Sequence, residues 1–257
     1  VFSPYSVAAA LILAYIGASR ETQAALAQVL GFGAKPSEAV VREAAALHQH
    51  LVTGDAGVLC VLANAVWVRS GLACRPEFVQ AAQRAFDARV SELDFASPQA
   101  PDVINTWASR ATRGRIDQVI NEDELQDPDL TLLLANAVYF KGLWEEPFRT
   151  EHTQEKPFAC ADEVTRPVPM MARSARFEYA ETAAYQAVHL PYSDDRYGLI
   201  VLLPQPGNYA AVVRGLTLDG WKQLRRSLRW RDGLVELPRF RLDYKEELTS
   251  SLRAVGI

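Results

Sequence analysis

The stretch LANAVWVRSGL, residues 62–72, returns 72 residues later as LANAVYFKGLW, residues 134–144. Both copies are rich in β-branched and aromatic residues and read as strands, and each carries one asparagine among apolar neighbours. In the second copy, alternation puts Leu134, Asn136, Val138 and Phe140 on one face and Ala135, Ala137, Tyr139 and Lys141 on the other. Both faces are mostly apolar, so such strands belong in the middle of a sheet. The small alanines let another element approach closely. An asparagine held there must find hydrogen-bond partners or cost on the order of a few kcal/mol. Residue chemistry alone leaves open two central strands whose asparagines are satisfied by backbone.

The bulk properties limit the choices. With 257 residues, 49% hydrophobic and 23% charged, the chain has apolar material for a core in one large domain or two small ones. A formal net charge of −4 provides no global field for nucleic acid or a membrane surface, so any polyanion site must be local. The longest apolar run, residues 7–17, falls short of the roughly 20 residues that span a bilayer and reads as a helix buried on every side. Cys60, Cys74 and Cys160 are too scattered for a disulfide framework or a thiolate metal site. The chain opens on Val1 and stops at Ile257 just after a helical pattern, so both ends are expected to be cut.

Helix signals come first along the chain. Ser3 and Pro4 open one helix and Ser19 caps a second that stops at Gly31; a third runs over 38–52, and helices follow at 77–87 and 100–113. Strands are expected at 58–68, near 90–95, and at the second LANAV. Beyond Trp144 the pattern turns to strands, KPFA, VPMMA, ARFEYAE, YQAVHLPY and YGLIVLLP. A helix over 218–229, the strand VELPRFRLDY and the capped helix KEELTSSLRAVG complete the order. Helices early and antiparallel strands late argue for an α+β fold in a single domain over 1–257, without a linker.

The combination of FSPYSV at 2–7, INTWASRATRGRI at 104–116, NAVYFKGLWEEPF at 136–148, VPMM at 168–171 and LPRF at 237–240 resembles the serpin family in order and spacing. The resemblance runs from residue 1 to residue 257. It implies a large mixed central β-sheet with additional antiparallel sheets and surrounding helices. The two LANAV strands would be neighbours in the large sheet, with the helix of Asn105 and Trp107 across its front. By the same resemblance Ser3, Ser6 and Asn136 correspond to the shutter, a polar cluster beneath the sheet. Trp144, Arg239, Gly142, Thr153 and Phe158 correspond to the breach, where a strand would first insert.

The resemblance implies a serine-type endopeptidase inhibitor of metastable fold. A target serine or cysteine protease attacks an exposed loop, and the cleaved loop inserts into the central sheet as a new strand and disables the acylated enzyme. The alternative is a non-inhibitory relative that carries a ligand or acts as a chaperone-like binder. In the family the reactive loop lies beyond the position matching Ile257, so the chain is expected to be truncated at its C-terminus, with the residue that fixes specificity outside it. No cofactor is implied, and the family-level expectation is a monomer in the extracellular space, with the cytoplasm as the alternative.

Two further features complete the sequence picture. Lys222, Arg225, Arg226 and Arg229 fall at i, i+3, i+4 and i+7 of the expected helix, a cationic face that is either solvated or a dock for a heparin-like polyanion. Enzymatic motifs are missing: His48, His50, His152 and His189 lie apart, and the sequence contains no HExxH, GxSxG or P-loop lysine. Catalysis by the chain is therefore not expected.

Overall fold

A computed structural model describes residues 3–54, 57–159, 164–194, 196–242 and 254. Two compact units are formed, the first holding residues 3–54, 59–141 and 254, the second residues 57–58 and 142–242. The expected helix KEELTSSLRAVG, except for Ala254, lies outside the described residues, as do Cys160 and Asp55.

In the first unit α1 (Pro4–Gly17) begins where Ser3 Oγ accepts the Ser6 N–H at 3.2 Å and Pro4 takes the first turn, a position that needs no backbone donor. Helices α2 (Arg20–Val29) and α3 (Ser37–Leu51) follow. Only Ala9, Leu13 and Tyr15 of α1 are fully buried, which corrects the expectation of all-round burial. Two stripes account for this. Ala9 and Leu13 join the cluster of α3 and of α4 (Pro76–Phe86), while Tyr15 packs with Leu26 and Val40, and the arc between stays half-covered.

Strand β2 (Val58–Arg69) organises a mixed four-stranded sheet. The short β1 (Thr53–Gly54) pairs with it antiparallel, β3 (Arg89–Leu93) pairs with it in parallel, and β4 (Leu132–Gly142) also pairs with β2. Alternation divides the core. Val66, Val68, Leu132 and Leu134 meet Leu13, Val41, Ala82 and Phe86 on one face. Ala65, Trp67, Leu133 and Ala135 meet α5 (Ala100–Ala111) on the other, through Ile104 and Trp107. The rings of Trp67 and Trp107 stand edge to face, 5.3 Å apart. Asn105 anchors the chain after this helix, donating to Ile120 O at 2.9 Å and accepting the Val119 N–H at 2.8 Å.

The second unit is an antiparallel five-stranded sheet in the order β5 (Gln154–Ala159), β6 (Thr165–Glu181), β7 (Tyr185–Pro191) and β8 (Gly198–Pro204), with β9 (Arg229–Pro238) paired to β6. The expected separate strands VPMMA and ARFEYAE are one strand of 17 residues, because the Arg173-Ser174 junction holds no glycine or proline to turn the chain. Helix α6 (Tyr209–Gly215) was not expected, and α7 (Leu218–Ser227) ends before Arg229, which opens β9. Phe177, Leu190 and Leu237 centre one cluster, and Ala180 and Ala187 pack with Leu224 and Leu228 in another.

A buried histidine ties two helices of the first unit. His48 of α3, 7% exposed, is hydrogen-bonded through Nδ1 to Tyr5 Oη of α1 at 2.6 Å and sets its ring edge-on against Phe86. Burial pushes the imidazole below its usual 6.5, with Asp87 opposing, and pushes the Tyr5 phenol up to about 12, helped by Cys60. As pH falls past 6.5 the unfolded chain takes up a proton that native His48 resists. The stability contributed by the neutral ring is therefore present above pH 6.5 and lost below it. Denaturant midpoints measured from pH 7.5 to 5.5 should fall, and His48→Gln should flatten that fall; an unchanged slope refutes the assignment. Asn64→Ala, at a site 3% exposed, should cost roughly 2–3 kcal/mol by urea unfolding, since its partners stay buried.

Candidate functional site

The two asparagines of the repeat meet. Asn136 Nδ2 on β4 donates to Asn64 Oδ1 on β2 at 2.7 Å, and Asn64 Nδ2 donates to Phe86 O at 3.2 Å. Phe86 is the last residue of α4, whose final carbonyls have no partner within the helix. The pair thus links a helix end, β2 and β4 in one chain of hydrogen bonds. Among the described residues Asn136 Oδ1 is buried without a hydrogen-bond partner. Strand β4 pairs, among the same residues, with β2 alone.

Of the residues matched to the shutter, Ser3 and Ser6 join each other at the start of α1, and the hydrogen bond of Asn136 goes to Asn64. Asn64 was not singled out from sequence. The signal was present in the repeat itself: if the copies pair, an asparagine at the same place in each can face the other.

The residues matched to the breach lie in the second unit. Trp144 stacks on Tyr192, ring centroids 4.5 Å apart and planes 8° apart, and meets Phe148 edge-on at 6.2 Å. The two stacked residues also form an isolated antiparallel bridge. Gly142 is required there, since a Cβ at that position would lie 2.6 Å from the Tyr192 ring. Arg173 extends the group, its guanidinium 5.3 Å from the Phe148 centroid and 4.7 Å from that of Phe177. Burial lowers its pKa, with Glu146 and Glu145 opposing, and its Nε has no partner among the described residues. Arg239 is fixed by its backbone N–H to Pro169 O at 2.8 Å, Thr153 closes a short turn through its N–H to Thr150 O at 3.0 Å, and Phe158 of β5 lies opposite Arg166 of β6. Tyr192, like Asn64, went unnoticed in the sequence.

The cationic face is smaller than expected. Lys222, Arg225 and Arg226 are exposed on α7, but Arg229 turns back and donates from Nη1 to Arg226 O at 2.6 Å and Leu228 O at 2.8 Å. It caps the carbonyl end of the helix, where a cation also offsets the helix dipole. Among the described residues no three metal-ligating side chains converge, and no helix is long and apolar enough to cross a membrane.

Comparison with known proteins joins these observations. A family profile described as Serpin (serine protease inhibitor) matches residues 1–257. Iripin-2 of Ixodes ricinus is 35% identical over 100% of this chain, which spans 66% of that protein's length. The structure of native protease nexin-1 with heparin superposes with a TM-score of 0.91 at 27% identity, covering 99% of this chain and 70% of the other. A loop-inserted structure of a P1-P1' cleaved ovalbumin mutant superposes with a TM-score of 0.90 at 25% identity, covering 99% and 71%. With its full length matched and its helices and sheets superposed on such structures, the chain belongs to the serpin family.

Proposed function

We propose that the chain belongs to a protease inhibitor that works by admitting a strand of its own polypeptide beside β4. The observation that carries this reading is the polar pair inside the sheet: Asn136 of β4 donates to Asn64 of β2, and among the described residues the buried carbonyl oxygen of Asn136 has no donor. The polar Asn64–Asn136 pair suits a sheet that must part, because hydrogen bonds can be exchanged between two arrangements whereas interdigitated apolar packing resists separation.

The chemistry of capture belongs to the protease. Its serine attacks the carbonyl of an exposed loop, the leaving amine departs, and an ester joins loop and enzyme. Insertion of the freed strand before water reaches that ester distorts the enzyme and traps it. A full-length partner for β4 adds about ten ladder hydrogen bonds at roughly 0.5–1.5 kcal/mol net each, on the order of ten kcal/mol before any side-chain burial. That is enough to deform a catalytic site. The ovalbumin mutant, named as loop-inserted, supports this reading, since its fold is similar to that of this chain.

A heparin-like polyanion is the cofactor-like partner we infer, docking on Lys222, Arg225 and Arg226. Support comes from the exposure of all three and from the heparin present in the nexin-1 structure. Such a partner fits work outside the cell. A second reading, a carrier of apolar ligands, draws on one feature: a cavity of about 1060 Å³ in the second unit, lined among others by Phe158, Met170, Phe177, Leu203 and Leu234.

Expressed from its complete reading frame, the protein should form an SDS-resistant complex with a serine protease. Cleavage of its loop should raise its melting temperature by roughly 20–40 °C. Cleavage with neither complex nor thermal shift favours the carrier. Lys222→Gln with Arg225→Gln and Arg226→Gln should weaken heparin binding about tenfold, with less dependence on salt than the parent shows; equal binding places the polyanion elsewhere.

A further inference from the structure

A second cavity, of about 420 Å³, lies within the first unit between the carboxyl end of α5 and the last turns of β4. Thr112, Arg115 and Ile116 form one wall, and Val138, Tyr139, Phe140 and Lys141 form the other. Its size falls in the roughly 300–1,000 Å³ range of small-molecule sites. The lining is divided by chemistry. On the α5 face of β4, Ile116 and Tyr139 supply an apolar and aromatic surface, Val138 and Phe140 belong to the other face of the strand, and the two charged residues, Arg115 and Lys141, are both cations.

The charges are not spent elsewhere. Among the described residues neither Arg115 nor Lys141 has an ion-pair partner, and no carboxylate lines the cavity. The nearest acid in sequence, Asp117, accepts a hydrogen bond from Ser109 Oγ at 3.0 Å. A third cation stands beside them, since the Arg113 guanidinium lies 5.5 Å from the Tyr139 ring centroid.

The wall carrying Arg115 is built rigidly. Arg113 and Gly114 both take left-handed backbone, φ 52° and 73°, a conformation that disfavours arginine, and the Gly114 N–H closes onto Ser109 O at 2.7 Å. Buried Thr112 donates from Oγ1 to Ala108 O at 2.8 Å and accepts the Ile116 N–H at 3.0 Å. The turn is therefore fixed before any ligand arrives, which lowers the ordering cost of binding.

We propose that this cavity binds an aromatic monocarboxylate, its ring against Tyr139 and Ile116 and its carboxylate held by Arg115 and Lys141. A cation beside an apolar floor recognises an anion with a flat hydrophobic body, and charge-assisted hydrogen bonds to a carboxylate are the strong ones. An inorganic anion would lose its water against Tyr139 and Ile116 without return. Because one wall is the turn that ends α5 and the other is β4, the ligand binds the arrangement in which that turn and the strand lie together and stabilises it. It therefore slows strand insertion beside β4, an effect that rests on the inhibitory reading, whereas binding itself does not.

The test uses the protein from its complete reading frame and 2-naphthoate, titrated calorimetrically at low salt. One saturable site is expected, with 2-naphthamide, the neutral isostere, roughly tenfold weaker. Arg115→Gln in the turn after α5 and Lys141→Gln on β4, two exposed positions, should each weaken 2-naphthoate about tenfold with melting temperatures unchanged. Equal affinity for acid and amide, unaltered binding in both variants, or displacement by sulfate alone overturns the site. Saturation with 2-naphthoate should also slow formation of the protease complex; binding without slowing overturns the coupling to strand insertion while the site stands.

Discussion

Asn136 and Asn64 share one hydrogen bond of 2.7 Å, and the arrangement of the first unit depends on it. A strand displaced by one residue exchanges its two faces, so β4 has to be seated on β2 in one register if Leu132 and Leu134 are to meet α1 and α4 while Leu133 and Ala135 meet α5. Apolar contacts alone discriminate poorly between neighbouring registers of such similar side chains. A buried amide pair does so sharply, since misplacement leaves both amides without partners in a dry setting. The carbonyl of Phe86 extends the same requirement to the end of α4.

The two units hold one buried unsatisfied polar atom each among the described residues, Asn136 Oδ1 and Arg173 Nε. Folded proteins seldom leave such atoms, so their placement on strands is informative. Asn136 Oδ1 sits on a strand with a single partner. Arg173 is compensated by the ring faces of Phe148 and Phe177, which accept its positive charge though not its Nε–H. The polar atoms and the aromatic stack together mark where each unit departs from ordinary core packing.

Much of this architecture was legible in the sequence because it is written in local periodicity. The alternation of 134–141 gave the correct faces, the Ser3-Pro4 start gave the cap of α1, and the serpin resemblance made the two copies of the repeat neighbouring strands, as β2 and β4 are. What escaped was contact across distance. Tyr5 and His48 are 43 residues apart, and no pattern in either helix names the other. The stacking of Tyr192 on Trp144 likewise depends on a bridge between a loop and a distant strand end. Arg229 was misplaced for a different reason: helical spacing continues through it, but the chain leaves the helix at Ser227 and the long side chain reaches back. The cavity beside Lys141 was invisible because its walls come from two segments whose separation is set by the packing of Trp107 against Trp67.

The pairing of β6 with β9 has a consequence for synthesis. Ten residues, from Met170 to Tyr179, find their partners between Pro238 and Arg229. When Tyr179 leaves the ribosome its partner Arg229 is still to be made, and at roughly 5–20 residues per second the wait lasts several seconds. Throughout that interval one flank of the nascent β6 can pair only with whatever is at hand, so the translation speed over α6 and α7 governs how long the growing chain must be shielded.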